Sequence, residues 1–323
     1  MELSASKKEI LLDRENLISS EQYEEQKKEL RETDSMRQDG LNQLRNWISQ
    51  NPDIENCLTD DSFLVRFLRV RKYSIPMAQQ TLLKYLNLRQ TFKSALCNLD
   101  YTEPRTLDLL EKGYVYVSPF RDCNGRRVII YNLNSINVQT VTSLDIQRAD
   151  MVTFETLLED EECQIMGVTH IIQGGNIGPS IIPIFCTKDF GYLIKWGEQS
   201  FPMRHKSFII TSISSIIKYI FETTKSLITP KLRKRIWMNE SLEKLHQKVG
   251  KHCLPLELGG TIPAKQMMDL WREELEAKRE RLLSFDKIIL LSDKGIITRR
   301  NSPRNDETGI GSVSGSFRKL NID

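Results

Sequence analysis

Leu41, Leu44 and Ile48 recur at spacings of three and four, the period of a helix with one buried face. Phe63, Leu64, Phe67, Leu68 and Val70 continue that pattern, which places Arg66, Arg69 and Arg71 on the solvent side and makes Asp60 or Asp61 the cap. Ser74 ahead of Pro76 signals another helix start, and Met77 to Lys93 keeps the helical period. Before these, Lys7 to about Arg37 is dense in Glu, Lys, Gln and Leu and has no Gly or Pro, which predicts one more helix.

The pattern changes after Glu111. Gly113 to Val117 alternates, Asp122-Cys123-Asn124-Gly125 is a turn signal, and Arg127 to Leu133 is a second β-like run. Together they predict a hairpin or adjacent strands. A helix over Asp145 to Glu162 follows, then a buried strand over Gly167 to Gln173 that ends in Gly-Gly-Asn. Thr187 to Gln199 reads as helix, Lys206 to Ser212 as a strand, and Ile213 to Leu227 as an apolar, amphipathic helix. Strands alternating with helices predict an α/β layer with a mostly parallel sheet, preceded by a helical N-terminal lobe. Lys265 to Phe285 is a charged helix with Met267, Trp271 and Leu275 in one row and a Glu274–Lys278 pair on its surface. From Ser292 onward small and polar residues dominate, and disorder is expected. The expected division is 1–37, a helical extension; 38–100, a helical lobe; 101–263, an α/β lobe; and 264–323, a helix with a loose tail.

Charge adds a constraint. The 323 residues carry 46 Lys and Arg against 43 Asp and Glu, a formal charge of +3. That balance argues against nucleic-acid binding driven by bulk charge. Cys163 to Thr187 contains no Asp, Glu, Lys or Arg and is long enough to cross a bilayer, but its Gly, Pro and amide residues mark it as soluble core. Met1 to Arg14 has no apolar stretch of the secretory kind. The six cysteines form no Cys-x-x-Cys pair, so reduced thiols in the cytosol are expected, and the Asn239-Glu240-Ser241 sequon is then without a glycan.

Catalytic motifs are missing from the chain. There is no phosphate-binding Gly-x-x-x-x-Gly-Lys loop, no Gly-x-Gly-x-x-Gly, no His-Glu-x-x-His, no Gly-x-Ser-x-Gly and no Cys-x5-Arg. The four histidines lack metal-ligand spacing, and His170 reads as a satisfied core residue. No cofactor, metal or enzymatic activity is expected. Two uneven features remain. Aromatic residues crowd the span from Phe154 to Phe221, either as ordinary core or as the wall of an apolar cavity for a lipid-like ligand. Arg204, His205 and Lys206, and then Lys231, Arg233, Lys234 and Arg235, flank the apolar helix. Such clusters are either a solvated face or a dock for anionic lipid, where each charge is worth about 1 kcal/mol.

Four blocks in order bring a family into view. They are Asp61-Ser62-Phe63-Leu64-Val65-Arg66-Phe67-Leu68-Arg69 with Lys72-Tyr73; Gly167-Val168-Thr169-His170-Ile171-Ile172; Phe201-Pro202-Met203-Arg204-His205-Lys206; and Ser241-Leu242-Glu243-Lys244-Leu245 followed by Leu254-Pro255-Leu256-Glu257-Leu258-Gly259-Gly260-Thr261. From about Leu41 to Trp271 the chain resembles the CRAL-TRIO lipid-transfer family, in the branch of cellular retinaldehyde-binding protein, alpha-tocopherol transfer protein and the clavesins. The resemblance implies a helical N-terminal lobe and an α/β lobe that holds one hydrophobic ligand under a gate helix, here about Ile213 to Leu227. It implies pocket residues Thr153, Phe154, Val168, Ile172, Trp196, Phe201 and Met203, with Ile217, Ile220 and Phe221 on the gate. It implies a phosphoinositide site at Arg204, Lys206, Lys231, Arg233 and Arg235, formed by charge-assisted hydrogen bonds to phosphate. The expected ligand is a retinoid, tocopherol or similar isoprenoid, and the expected location is cytoplasmic with transient docking on endosomal or other phosphoinositide-bearing membranes. The rival reading is a trafficking module whose main ligand is the phosphoinositide. Where the family has an acidic Asp-x-x-Gly arrangement after the central strand, this chain has Gln173 and Asn176 around Gly174 and Gly175.

Overall fold

The computed structural model describes residues 18–297 except Asn176. The expected helix over 7–17 and the tail beyond 297 lie outside the described residues, as does Asn176.

Ser19 and Thr33 accept the backbone N–H groups of Gln22 and Met36 and so cap two helices, α1 (Ser20–Leu30) and α2 (Asp34–Gln50). The single helix expected here is therefore broken. Arg31 turns into the left-handed region at φ 62°, closing α1 two residues before Thr33 opens α2. A short strand β1 (Ile54–Glu55) precedes α3 (Asp61–Val70), which Asp60 caps at Phe63. Then come α4 (Ile75–Thr91) and α5 (Lys93–Leu96).

Arg66 and Arg69 do not face solvent as their helical position suggested. Both are buried, because α3 is packed on all sides. Arg66 pairs with Glu155 at 3.4 Å and with Glu159, and Arg69 holds Glu32 at 2.7 and 2.8 Å. Glu155 also accepts from Tyr85 at 2.6 Å. The interface between the helical lobe and the α/β lobe is thus a buried ionic cluster inside an apolar core.

Beyond α6 (Pro104–Glu111) the chain forms five adjacent strands in sequence order: β2 (Val115–Arg121), β3 (Arg127–Asn132), β4 (Val168–Gln173), β5 (His205–Thr211) and β6 (Ile236–Glu240). Only β2 and β3 are antiparallel, as the turn at Asp122–Gly125 demands, and the other pairs are parallel. Strand β6 was not anticipated. Two rows of paired residues run across the sheet, Ile129–His170–Phe208–Ile236 and Tyr131–Ile172–Ile210–Met238. They are two residues apart on each strand, so they share one face.

That face is covered by helices. The expected helix over Asp145 to Glu162 is two, α7 (Ser143–Leu158) and α8 (Glu161–Met166), because Asp160 caps a new start at Glu162 and Cys163. After β4 come α9 (Ile182–Phe185) and α10 (Lys188–Ser200), then α11 (Ser215–Thr224) after β5, α12 (Pro230–Arg233) before β6, and α13 (Leu242–Val249) after it. Helix α14 (Ala264–Ser284) buries Met267, Trp271 and Leu275. Glu274, expected to pair along the helix with Lys278, instead turns to the sheet and accepts from Arg127 at 3.1 and 2.9 Å. Strand β7 (Ile289–Leu290) pairs with β1, and the next residues lie along α4, where Gln80 donates to Gly295 O at 2.9 Å and accepts from Ile297 N at 2.8 Å. Order thus continues past Ser292. All six cysteines are free thiols. No helix among the described residues is long and apolar enough to cross a membrane.

Candidate functional site

Between the sheet face and its covering helices lies a cavity of about 340 Å³. Its floor comes from the two paired rows: His170, Phe208 and Ile236 from one, and Tyr131, Ile172 and Ile210 from the other. Helix α7 adds Gln147, Asp150, Met151 and Phe154 at helical spacing, and α10 adds Phe190, Leu193 and Ile194. Helix α11 roofs the space. Ile217, Ile220, Phe221 and Thr224 face inward, while Lys218, Tyr219, Glu222 and Thr223 are exposed. The roof meets the floor at Gly174, where a Cβ would stand 2.0 Å from Ile217 Cδ1 and 2.8 Å from Ser212 O. Only glycine allows that approach.

Of the expected pocket residues, Phe154, Ile172, Phe201, Ile217, Ile220 and Phe221 line the cavity. Four do not. Thr153 sits one helix position away from Phe154, and its hydroxyl is spent on Ala149 O at 2.9 Å. Val168 shares the strand face of His170 but lies at the start of β4, fully buried in the core. Trp196 packs against Phe92 and Tyr192, with ring centroids 5.7 and 5.6 Å apart. Met203 is buried in the segment leading into β5.

Sequence reasoning missed the polar part of the wall. Tyr131 Oη lies 3.3 Å from His170 Nδ1, and His170 Nε2 lies 2.9 Å from His205 Nδ1. Burial, and then the neighbouring His205, hold His170 well below the usual imidazole range. Burial and the charge of Arg235 take His205 down to about 4. Both rings are therefore neutral at physiological pH. Tyr114 donates to Asp150 Oδ1 at 3.0 Å, and burial outweighs that bond and pushes the Asp150 carboxyl up to about 7. The expected satisfied core histidine is satisfied, but it also forms part of the cavity wall. Nothing in the sequence marked the pair: His205 opens β5 opposite Val168, while His170, two residues further along β4, is opposite Phe208, so the two rings meet diagonally rather than as register partners.

The basic residues divide into two sets. Lys231 and Arg233 on α12 are exposed. Arg204 and Lys206 are covered by α1: Glu29 lies 3.0 Å from each, Gln26 accepts from Lys206 at 3.1 Å, and Arg204 also donates to Ile165 O. Lys72 stands 3.8 Å from the same carboxylate. Arg235 donates to the carbonyl of His205. Burial alone would raise Glu29, but Lys206 and Arg204 outweigh it and hold it at about 2. Burial and repulsion from Arg204 lower Lys206 to about 8 despite its carboxylate partner. One carboxylate shared among several cations leaves the cluster short of negative charge.

A family model described as CRAL/TRIO domain matches residues 111–260, and one described as Pinta-like, UBA domain matches residues 33–106. Clavesin-1 of Xenopus laevis is 32% identical over 260 residues, which covers 77% of this chain and 76% of that protein. Clavesin-2 of Homo sapiens is 28% identical over 252 residues, with 77% of each covered. Among solved structures, that titled "Crystal structure of Sfh5" superposes with a TM-score of 0.53 at 13% identity, covering 78% of this chain and 99% of the other, a likeness of fold alone.

An apolar cavity on a mostly parallel sheet, closed by an amphipathic helix and backed by a helical lobe, defines a protein of the lipid-binding and transfer type. The chain belongs to the CRAL/TRIO family, and its clavesin relatives place it in the branch that the sequence blocks indicated.

Proposed function

We propose that this protein carries one small isoprenoid-like ligand, of the retinoid or tocopherol kind, in the cavity under α11, and that it exchanges the ligand at phosphoinositide-bearing membranes. It acts as a carrier and performs no chemistry on its cargo. The observation that carries this reading is the cavity itself, walled almost wholly by apolar side chains and closed by a ten-residue helix. Burial of a hydrocarbon there is worth roughly 25 cal/mol per Å² of apolar area, so release rather than capture limits exchange. Membrane docking uses Lys231 and Arg233 together with Arg204, Lys206 and Arg235, and the charge deficit around Glu29 supports an anionic headgroup at that cluster. Headgroup binding favours ligand release only if it binds the open protein more tightly than the closed one.

Ligand transfer between vesicles with and without a bisphosphorylated phosphatidylinositol tests the proposal. Faster transfer with the phosphoinositide, lost in Lys231→Ala plus Arg233→Ala, is the expected result. Vesicle binding without extraction of any apolar ligand would favour the trafficking-module reading instead.

A further inference from the structure

We propose that α1 is a removable strap: Glu29 fills, from within the chain, a phosphate site formed by Arg204, Lys206 and Lys72, and a membrane phosphomonoester binds there only as α1 undocks. This inference rests on the phosphoinositide reading and adds its regulation. With α1 in place the side chains of Arg204 and Lys206 are only 9% and 13% exposed. A headgroup therefore cannot reach them in the closed arrangement, whereas Lys231 and Arg233 stand open. Gln26 completes the cover, since its Oε1 accepts from Lys206 at 3.1 Å and from Arg204 at 3.5 Å.

The strap is lightly held. Leu30 is the one buried residue of α1. It packs with Ile165 and Met166 in a small cluster apart from the main core, and Ile18 and Tyr23 rest against that cluster half-buried. Polar contacts hold the rest, among them Gln22 Nε2 donating to Cys123 O at 3.2 Å. A helix of 11 residues is marginal in water without docking, so undocking and melting are one local step. The left-handed turn at Arg31 and the separate cap at Thr33 leave α2 intact when α1 goes.

Charge decides what displaces it. Glu29 brings one carboxylate to three cations. Burial, with repulsion from Arg235 and Arg126, holds Arg204 below its usual range even beside that carboxylate. A phosphomonoester carries about −1.5 to −2 at neutral pH and three acceptor oxygens, so it matches the cations better than Glu29 does. A phosphodiester carries a single charge, as Glu29 does, and gains nothing by the exchange.

The experiment is amide hydrogen exchange of the full chain with phosphatidylcholine vesicles carrying a bisphosphorylated phosphatidylinositol, with phosphatidylserine vesicles of equal surface charge, and with soluble inositol trisphosphate. Exchange across Ser20–Leu30 should quicken about tenfold on the first and stay unchanged on the second. Equal quickening by the soluble compound at the same headgroup concentration would assign the site to free phosphate and overturn the membrane source. Two variants move the strap in opposite directions without touching the cations. Leu30→Ala loosens it and should tighten vesicle binding severalfold, and Gln26→Glu adds a carboxylate over Lys206 and should weaken binding severalfold. Vesicle binding with α1 exchange unchanged, or an affinity unmoved in both variants, overturns the strap alone. Failure of wild type to bind the phosphoinositide vesicles overturns the phosphoinositide reading with it.

Discussion

Lys206 Nζ lies 3.0 Å from a Glu29 carboxylate oxygen, so α1 is fastened to the start of β5 by an ion pair within the chain. The same carboxylate occupies the cations that a phosphate would use. Glu29→Gln at neutral pH should loosen α1, with faster amide exchange across Ser20–Leu30 and severalfold tighter binding to phosphoinositide vesicles. Acid acts in the same direction. The carboxyl falls from 4.5 to about 2 on folding. The unfolded chain therefore binds more protons between those values, and the docking it contributes is present above about 4.5 and lost as pH falls toward 2. Unchanged exchange in the variant would separate α1 from the basic cluster.

The ionic cluster between the lobes gives the next expectation. Glu155 is fully buried and faces Arg66 and Arg89, each at 3.4 Å. Glu155→Ala leaves two guanidinium groups buried with less compensation and should destabilise the protein by about 3–5 kcal/mol. Denaturant unfolding measures this, and a loss under about 1 kcal/mol would mean the cluster hydrates freely.

The layer order and the strand direction were legible because hydrophobic period and turn chemistry are local. What packs against a face is not local. Arg66 and Arg69 lie on the polar side of α3 by period, and only the arrival of Glu155 from α7, of Glu159 just after it, and of Glu32 from the turn before α2, makes that side interior. The cavity was legible only through the family resemblance, which carried Phe154, Ile217, Ile220 and Phe221 to positions that line it. Trp196 was misplaced because an aromatic on α10 faces Phe92 as readily as it faces a ligand. Asp150 and the two histidines were not legible, because their role depends on a sheet that sets side chains from different strands next to one another.

Asp150 should leave a signature in the pH dependence of stability. Its carboxyl rises from 3.8 unfolded to about 7 in the fold. Between those values the folded state holds the extra proton, so the group's contribution falls as pH rises through that window. Asp150→Asn removes the effect. Its melting temperature should match wild type near pH 4 and exceed it near pH 8. Parallel melting curves across the range would place the carboxyl in contact with water.

Gly174 ties the roof to the sheet. Gly174→Ala sets a methyl group against Ile217 and the Ser212 carbonyl, an overpacking that should cost about 1–3 kcal/mol. Adding Ile217→Ala relieves the side-chain clash but not the backbone one, so calorimetry should show partial rescue. Full rescue would mean that the backbone yields.

The most direct test of the carrier role is organic extraction of the full chain after incubation with mixed membrane lipid, followed by mass spectrometry. One apolar lipid per chain, absent when Ile220→Asp plus Phe221→Asp place charge on the roof, is the expected result. Recovery of no lipid, or of equal lipid from the charged variant, would contradict the assignment of this cavity as a ligand site.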